Sequence, residues 1–130
     1  MKKLLILGLL LLGTTPVLAD YCANGYGDLL TAVNGKKYCV SRTDMNWWSA
    51  HAWCDSIGMR LIDPGEDCDC TGLANCEAGS DCPNLNIIRS GIFVWTNAID
   101  NSSHSYVINT TEDKLAGKLK REGGYAACKK

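Results

Sequence analysis

The chain has 130 residues, with 13 lysines and arginines against 14 aspartates and glutamates, and a formal net charge of −1. This length suits one domain, and the balanced charge does not favour nucleic acid or an anionic membrane surface as a partner. Eight cysteines in so short a chain are typical of a small exported domain stabilised by disulfides.

The first nineteen residues have the pattern of a secretory signal peptide. Lys2 and Lys3 precede an apolar run, residues 4–12, and Ala19 ends a short stretch suited to cleavage. We expect residues 1–19 to be removed, leaving residues 20–130 as one domain with 11 basic and 14 acidic residues and a net charge of about −3. The apolar run is too short for a permanent span, so no stable membrane anchor is expected. The predicted location is secreted or periplasmic, with the cell surface as a further option.

The start of the domain indicates a hairpin. Residues 21–30 read as a loop or a loose first strand, Asn34-Gly35 is a strong turn signal, and residues 37–41 form a short predicted strand. Cys22 and Cys39 bracket this turn, so we predict a bridge between them. In the chain-entropy model such a bridge stabilises by about 3 kcal/mol.

Residues 45–61 predict one amphipathic helix with a strand-like exit. Asn46 or Asp44 can cap its start, and Gly58 suits a left-handed C-cap. Apolar residues recur at helical spacing, at Trp47, Ala50, Trp53, Cys54 and Ile57. We expect this helix at the centre of the core, with Cys54 tied to a distant partner.

Trp48 lies off this apolar stripe. A core or half-buried position is the more frequent one for tryptophan. An exposed indole could instead stack on a sugar ring or fill a partner's pocket. His51 is expected to be a half-exposed helix residue.

Residues 62–84 form a cysteine-rich acidic excursion without periodicity. Its cysteines allow Cys68–Cys76 with Cys70–Cys82, or Cys68–Cys82 with Cys70–Cys76. A zinc cluster of the same four residues is disfavoured by their spacing and by an oxidising compartment. The acidic run from Asp67 resembles the start of a calcium loop but has Ala78 where that loop needs glutamate, so a solvated acidic loop is expected.

The remaining chain predicts short elements around one polar loop. Residues 83–88 suggest a helical turn, and residues 92–96, 106–108 and 125–128 predict strands. Residues 115–119 fit a strand or a helical turn. Lys129 and Lys130 are expected to be solvated. The polar loop spans Asp100 to His104, and its side chains can donate to and accept from hydroxyl groups.

Together these features resemble the C-type lectin-like domain. The matching residues are Tyr38-Cys39, Asn46-Trp47, Ala50, Ala52, Trp53-Cys54, Gly58, Leu61, Val94-Trp95 and Tyr125-Ala126-Ala127-Cys128. The resemblance runs from Gly35 to the end of the chain. It implies an α+β fold that is C-type-lectin-like and disulfide-rich, with a small mixed or antiparallel sheet and one main helix. It also implies a bridge between Cys54 and Cys128.

The chain departs from calcium-dependent members of that family. It lacks their Glu-Pro-Asn or Gln-Pro-Asp triplet and their Trp-Asn-Asp triplet, and only ten residues separate Trp95 from Tyr106. We therefore expect a compact bacterial version without the calcium-dependent sugar site, and with no metal or other cofactor. The residues predicted to bind the ligand are Trp48, Asn97, Asp100, Asn101, Ser103 and His104.

The predicted function is binding without catalysis. No nucleophile motif accompanies the two histidines, so an enzyme is not expected. The ligand is predicted to be a glycan or a protein at a cell surface, bound without calcium in adhesion or surface recognition. The alternative is a structural subunit of a pilus, envelope or secreted assembly. An accessible aromatic beside the polar loop favours ligand binding, whereas a broad apolar patch favours assembly.

Overall fold

The computed structural model describes residues 22, 27–32, 34–69, 76, 81–112 and 114–130. The strands are β1 (Gly27–Thr31), β2 (Lys37–Met45), β3 (Arg60–Leu61), β4 (Phe93–Ile99), β5 (His104–Asn109), β6 (Lys114–Leu119) and β7 (Gly124–Lys129). The helices are α1 (Trp47–Ser56) and α2 (Pro64–Asp67), with a 3₁₀ turn at Pro83–Leu85. This is a small, sheet-rich α+β domain. The predicted signal peptide lies outside the described residues.

β7 is the strand around which the sheet is arranged. The strand order is β1-β2-β7-β4-β5-β6, with β3 also paired to β7. β7 runs antiparallel to β2 and β3 and parallel to β4, so the sheet is mixed. The last strand of the chain therefore lies in the middle of the sheet and joins the early strands to the late ones.

Helix α1 begins and ends where the sequence predicts. The Asn46 side chain accepts from the backbone N–H of Ser49 at 2.8 Å, which satisfies one of the exposed donors of the first turn. Ile57 is the C-cap, and Gly58 follows it with a φ of 71°, a left-handed conformation that favours glycine. The predicted exit strand is the two-residue β3.

The core has two parts, one on each face of the sheet. The helix-side core contains Cys22, Cys39, Trp47, Ala50, Cys54, Leu61, Trp95, Val107, Ala126 and Cys128. The opposite core contains Ala32, Tyr38, Val40, Ile62, Cys76, Cys82, Leu85, Ile88, Val94, Ile108, Leu115 and Ala127. The expectation that α1 forms the centre of the whole core is therefore wrong. Alternate side chains of a strand point to opposite faces, so an apolar sheet needs a cover on both.

Trp95 occupies the helix-side core with no exposed surface. Its indole N–H donates to the Met45 carbonyl at 2.8 Å. A Cβ at position 124 would lie 2.7 Å from the Trp95 Nε1 atom, so the bulky indole fits because Gly124 has no side chain. The start of β7 is thus shaped to accept a tryptophan from β4.

One strand is longer than predicted, and one element that could have been a strand or a helical turn is a strand. β2 continues to Met45 instead of ending near Ser41, because a register shift between Val40 and Asp44 lets it stay paired with β7. Residues 114–119 are a strand rather than a helical turn, because they pair in continuous antiparallel register with β5.

Three disulfides join six of the seven described cysteines: Cys22–Cys39, Cys54–Cys128 and Cys68–Cys82. The first two are confirmed predictions, and the third selects between the two arrangements left open for the excursion. Cys76 is also disulfide-bonded, and Cys70 lies outside the described residues.

Several disulfides indicate an oxidising, extracellular environment. No helix in the described part of the chain is long and apolar enough to cross a membrane.

The beginning of the excursion is tied to the end of β7 by an ion-pair network that is partly buried. The Lys129 ammonium lies 2.8 Å from Glu66 and 2.9 Å from Asp67. The Tyr38 hydroxyl donates to Asp67 at 3.1 Å. Asp67 and Lys129 are both buried, so the expectations of a solvated acidic loop at Asp67 and a solvated Lys129 are wrong. Asp63 caps α2 through Gly65 N–H, and this short helix turns Asp67 inward.

The network shifts the pKa values of Lys129, Glu66 and Tyr38. Burial, the largest single influence, lowers the pKa of Lys129, but the hydrogen bonds and negative charges of Glu66 and Asp67 together leave that pKa raised. The hydrogen bond from Lys129 holds the pKa of Glu66 below its usual value. Burial, followed by the charge and hydrogen bond of Asp67, raises the pKa of Tyr38 to about 12.

Among the disulfides, the Cys54–Cys128 bridge between α1 and β7 should contribute most to the free energy of unfolding. In the chain-entropy model, replacing Cys54 and Cys128 together by alanine lowers the free energy of unfolding by about 4–5 kcal/mol, because their separation is 74 residues. The Cys22 and Cys39 double variant, with a separation of 17, should lose about 3 kcal/mol. Urea unfolding followed by circular dichroism measures both. A larger loss for the Cys22 and Cys39 variant would contradict this ranking.

Stability should fall at alkaline pH because of Tyr38. Its pKa is raised from 10.0 to about 12 on folding, so its contribution is fully present below pH 10.0 and is lost as the pH rises towards 12. The urea midpoint of the wild type should therefore fall over this range more than that of Tyr38→Phe. Tyr106→Phe is the matched control and should follow the wild type. Equal alkaline losses in all three proteins would exclude Tyr38 as the titrating group.

Candidate functional site

Lys120 joins three parts of the chain that are distant in sequence. Its backbone N–H donates to the Ser103 carbonyl at 2.8 Å, and its carbonyl accepts from the Trp47 N–H at 2.9 Å. Its ammonium lies 4.4 Å from the Trp47 ring centre and 5.9 Å from that of Trp48, where the aromatic face attracts a cation. The β6–β7 turn therefore connects the start of α1 with the β4–β5 turn.

Trp48 is exposed at the start of α1. Its exposed fraction is 52%, against 8% for Trp47, and the two rings meet edge to face with centres 6.3 Å apart. The more frequent expectation, a core or half-buried Trp48, is wrong, because about half of the side chain faces solvent. His51 is half-exposed as predicted and lies 3.4 Å from Asp55.

The Asn101 side chain shapes the polar β4–β5 turn. Its oxygen accepts from the backbone N–H groups of Ser103 and His104, both at 2.9 Å, and from the Ser103 hydroxyl at 3.0 Å. Its amide nitrogen has no hydrogen bond within the described part of the chain. The turn is therefore rigid and exposed, and it retains polar groups for a ligand.

Ser103 and His104 are close enough to raise the question of nucleophilic catalysis. The Ser103 hydroxyl lies 2.9 Å from His104 Nδ1, and the same nitrogen lies 3.1 Å from the Asn101 oxygen. An activated serine needs a base whose ring is oriented by a third group through its other nitrogen. Here a single ring nitrogen faces both neighbours, so the contacts stabilise the turn.

A shallow cavity of about 370 Å³ adjoins the turn at His104. Phe93, Lys118 and Glu122 also line it, and the Lys118 ammonium lies 4.5 Å from the Phe93 ring centre. Phe93 is 41% exposed. We call Trp48, Lys120, residues 101–104 and this cavity the tryptophan–hairpin surface.

The other predicted ligand-binding residues lie at different distances from the turn. Asp100 is exposed at its base, where its backbone N–H donates to the His104 carbonyl at 3.2 Å. Asn97 is exposed too, but its backbone N–H donates to the Ile62 carbonyl at 2.8 Å. Asn97 therefore lies beside the start of the excursion. Lys120 connects Ser103 to Trp48. Asn101 and His104 contact Ser103 within the turn.

Sequence reasoning missed Lys120, Phe93, Lys118 and Glu122. Phe93 and the buried Trp95 are two residues apart in β4 and therefore lie on the same face of the strand. The alternation of side chains does not show where the helix stops covering that face. A single lysine in a turn carries no motif, so Lys120 had no signal in the sequence.

Two other features of the structure do not form the candidate site. The sulfur atoms of Cys68, Cys76 and Cys82 lie within 4.8 Å of one another, but all three cysteines are disulfide-bonded and offer no thiolate to a metal. A cavity of about 460 Å³ lies beside the 3₁₀ turn. The Thr110 hydroxyl in its wall bonds to the main chain of Ile92 and serves the fold.

Comparison with known proteins does not assign the chain to a family. No protein-family model and no curated protein match it. The function is therefore inferred from the geometry of the site.

Trp48 and Trp95 should differ sharply in their effect on stability. Trp48→Ala should lower the free energy of unfolding by no more than about 1 kcal/mol, because 52% of the side chain is exposed and its ring contact with Trp47 lies at the surface. Trp95→Ala should cost about 3–5 kcal/mol, because it empties a fully buried position. Urea unfolding followed by far-ultraviolet circular dichroism measures both. A loss above about 2 kcal/mol in Trp48→Ala would show that Trp48 serves the fold.

Proposed function

We propose that the protein is an exported, non-catalytic binding domain that recognises a glycan through the tryptophan–hairpin surface. The binding would serve adhesion or surface recognition and would need no calcium. The observation that carries this proposal is the exposed Trp48 indole, connected through Lys120 to a rigid polar turn.

The chemistry of the surface suits a sugar. An exposed indole offers a flat apolar face to the C–H groups of a sugar ring. The Asn101 amide, the Ser103 hydroxyl and the His104 ring can exchange hydrogen bonds with its hydroxyl groups. Because Asn101 already holds the turn in shape, these groups lose little conformational freedom on binding.

The arrangement of the chain supports a C-type-lectin-like scaffold as part of the proposal. The main helix is bridged to the last strand by Cys54–Cys128, as that resemblance implies. A short β4–β5 turn stands where calcium-dependent members have a long loop. The proposed site thus depends on aromatic stacking and polar contacts, in a secreted or periplasmic protein.

The exposed apolar residues favour ligand binding over the assembly role. Among the described residues, the large ones are Leu29 on β1, Trp48 on α1, and Phe93 and Ile99 on β4. Of these, Trp48 is connected through Lys120 to the polar turn, and an exposed aromatic beside polar groups suits a ligand site. A structural subunit of a pilus, envelope or secreted assembly is therefore the alternative outcome of the test.

A glycan array read with and without a chelator tests the proposal. The wild type should bind at least one glycan class equally in both conditions. Trp48→Ala should weaken that binding about tenfold or more, since a central aromatic contact is often worth 1–2 kcal/mol or more. Leu29→Ala, which removes an exposed apolar side chain on β1, is the matched control and should bind as the wild type does.

Three results would contradict the proposal. Binding that disappears with chelator would exclude the calcium-independent mode. Unchanged binding by Trp48→Ala would place the ligand elsewhere on the domain. Failure to bind any glycan, together with concentration-dependent self-association in sedimentation, would favour the assembly role.

A further inference from the structure

A cavity rich in basic residues lies at the C-terminal end of β7. Its volume is about 230 Å³, and its lining residues are Lys36, Lys37, Arg60, Glu66, Lys129 and Lys130. These side chains carry five positive charges and one negative charge. β7 begins opposite Met45, just before α1, and it reaches Lys129 opposite Tyr38. The basic cavity and the tryptophan–hairpin surface therefore lie towards opposite ends of this strand and share no residue.

The one carboxylate in the lining is already paired. Glu66 receives two hydrogen bonds from the Arg60 guanidinium, at 2.8 and 3.1 Å, and one from Lys129 at 2.8 Å. Lys36, Lys37 and Lys130 are exposed and have no ion pair in the part of the chain that the structure describes. The cavity therefore has an excess of uncompensated positive charge.

Lys129 forms a fixed wall of the cavity, but its charge is already paired. Its side chain is only 5% exposed, and Glu66 and Asp67 hold the ammonium from two directions. An ammonium has three donors, so one N–H remains after these two contacts. The exposed lysines around it, Lys36, Lys37 and Lys130, are therefore the cations that an anion can reach.

We propose that the basic cavity binds a sulfate or phosphate group carried by an acidic polysaccharide. Lys36, Lys37 and Lys130 would contact the anionic oxygens, while Arg60 and Lys129 keep the charge of Glu66 paired. The cavity is smaller than typical pockets for drug-sized ligands, about 300–1,000 Å³, which favours one charged substituent of a longer chain. This site is independent of the proposed function.

Binding to heparin, a sulfated polysaccharide, tests the proposal. The wild type should bind immobilised heparin at low salt and dissociate as the salt concentration rises. Lys36→Gln with Lys37→Gln should raise the dissociation constant about tenfold, because two charge contacts are lost. Lys114→Gln with Arg121→Gln changes the net charge equally on exposed residues outside the cavity and should bind nearly as the wild type does.

Several outcomes would overturn the proposal. No retention on heparin at low salt would exclude the site. Equal losses in the two double variants would indicate only a general effect of net charge. Binding to phosphatidylserine vesicles without binding to heparin would assign the surface to a membrane.

One further result would support the independence of the two sites. A normal Trp48-dependent glycan response in the Lys36 and Lys37 double variant would show that the two sites act separately, as proposed.

Discussion

The disulfide between Cys54 and Cys128 is the constraint on which the rest of the structure depends. It joins the last turn of α1 to the central strand of the sheet with a Cα–Cα distance of 5.5 Å. β7 in turn pairs with β2, β3 and β4, so one covalent bond locates the helix relative to the early and late halves of the chain. A domain of this size has a limited core, and such a bridge supplies stability that burial alone would not.

The helix position fixed by this bridge creates the proposed binding surface. With α1 lying across β7, Trp47 packs inward and donates its indole N–H to the Thr96 carbonyl at 3.1 Å, while its neighbour Trp48 remains outside. Lys120 then fills the space between the helix start and the β4–β5 turn. The groups of α1 and of the turn that we propose for binding are thus held in one frame, and such preorganisation would lower the entropy cost of binding a ligand.

Much of the fold was accessible from sequence because its signals are local. Asn46 and Gly58 mark the ends of α1 through capping and a left-handed backbone, and the Asn34-Gly35 turn brings Cys22 and Cys39 together. The Cys54–Cys128 pairing is long-range, and only the resemblance to a known domain anticipated it. The 3₁₀ turn at Pro83–Leu85 likewise follows from a local proline.

The features that sequence reasoning missed depend on contacts between distant segments. Lys129 follows the last apolar residue and looks solvated, but Glu66 and Asp67 approach it only after α2 forms and the sheet closes. The exposure of Trp48 depends on what covers the helix start, which no local pattern reports. Lys120 contacts its neighbours through its backbone N–H and carbonyl as well as through its ammonium. Because any residue type can make such backbone contacts, the sequence gives no signal for them.

Peptide mapping of the intact protein under non-reducing conditions tests the central claim most directly. Digestion should yield a fragment that links the α1 peptide containing Cys54 to the β7 peptide containing Cys128, together with Cys22 linked to Cys39. A fragment that links Cys54 to any other cysteine would contradict the fold, because α1 could then not lie across β7, and the tryptophan–hairpin surface would not form.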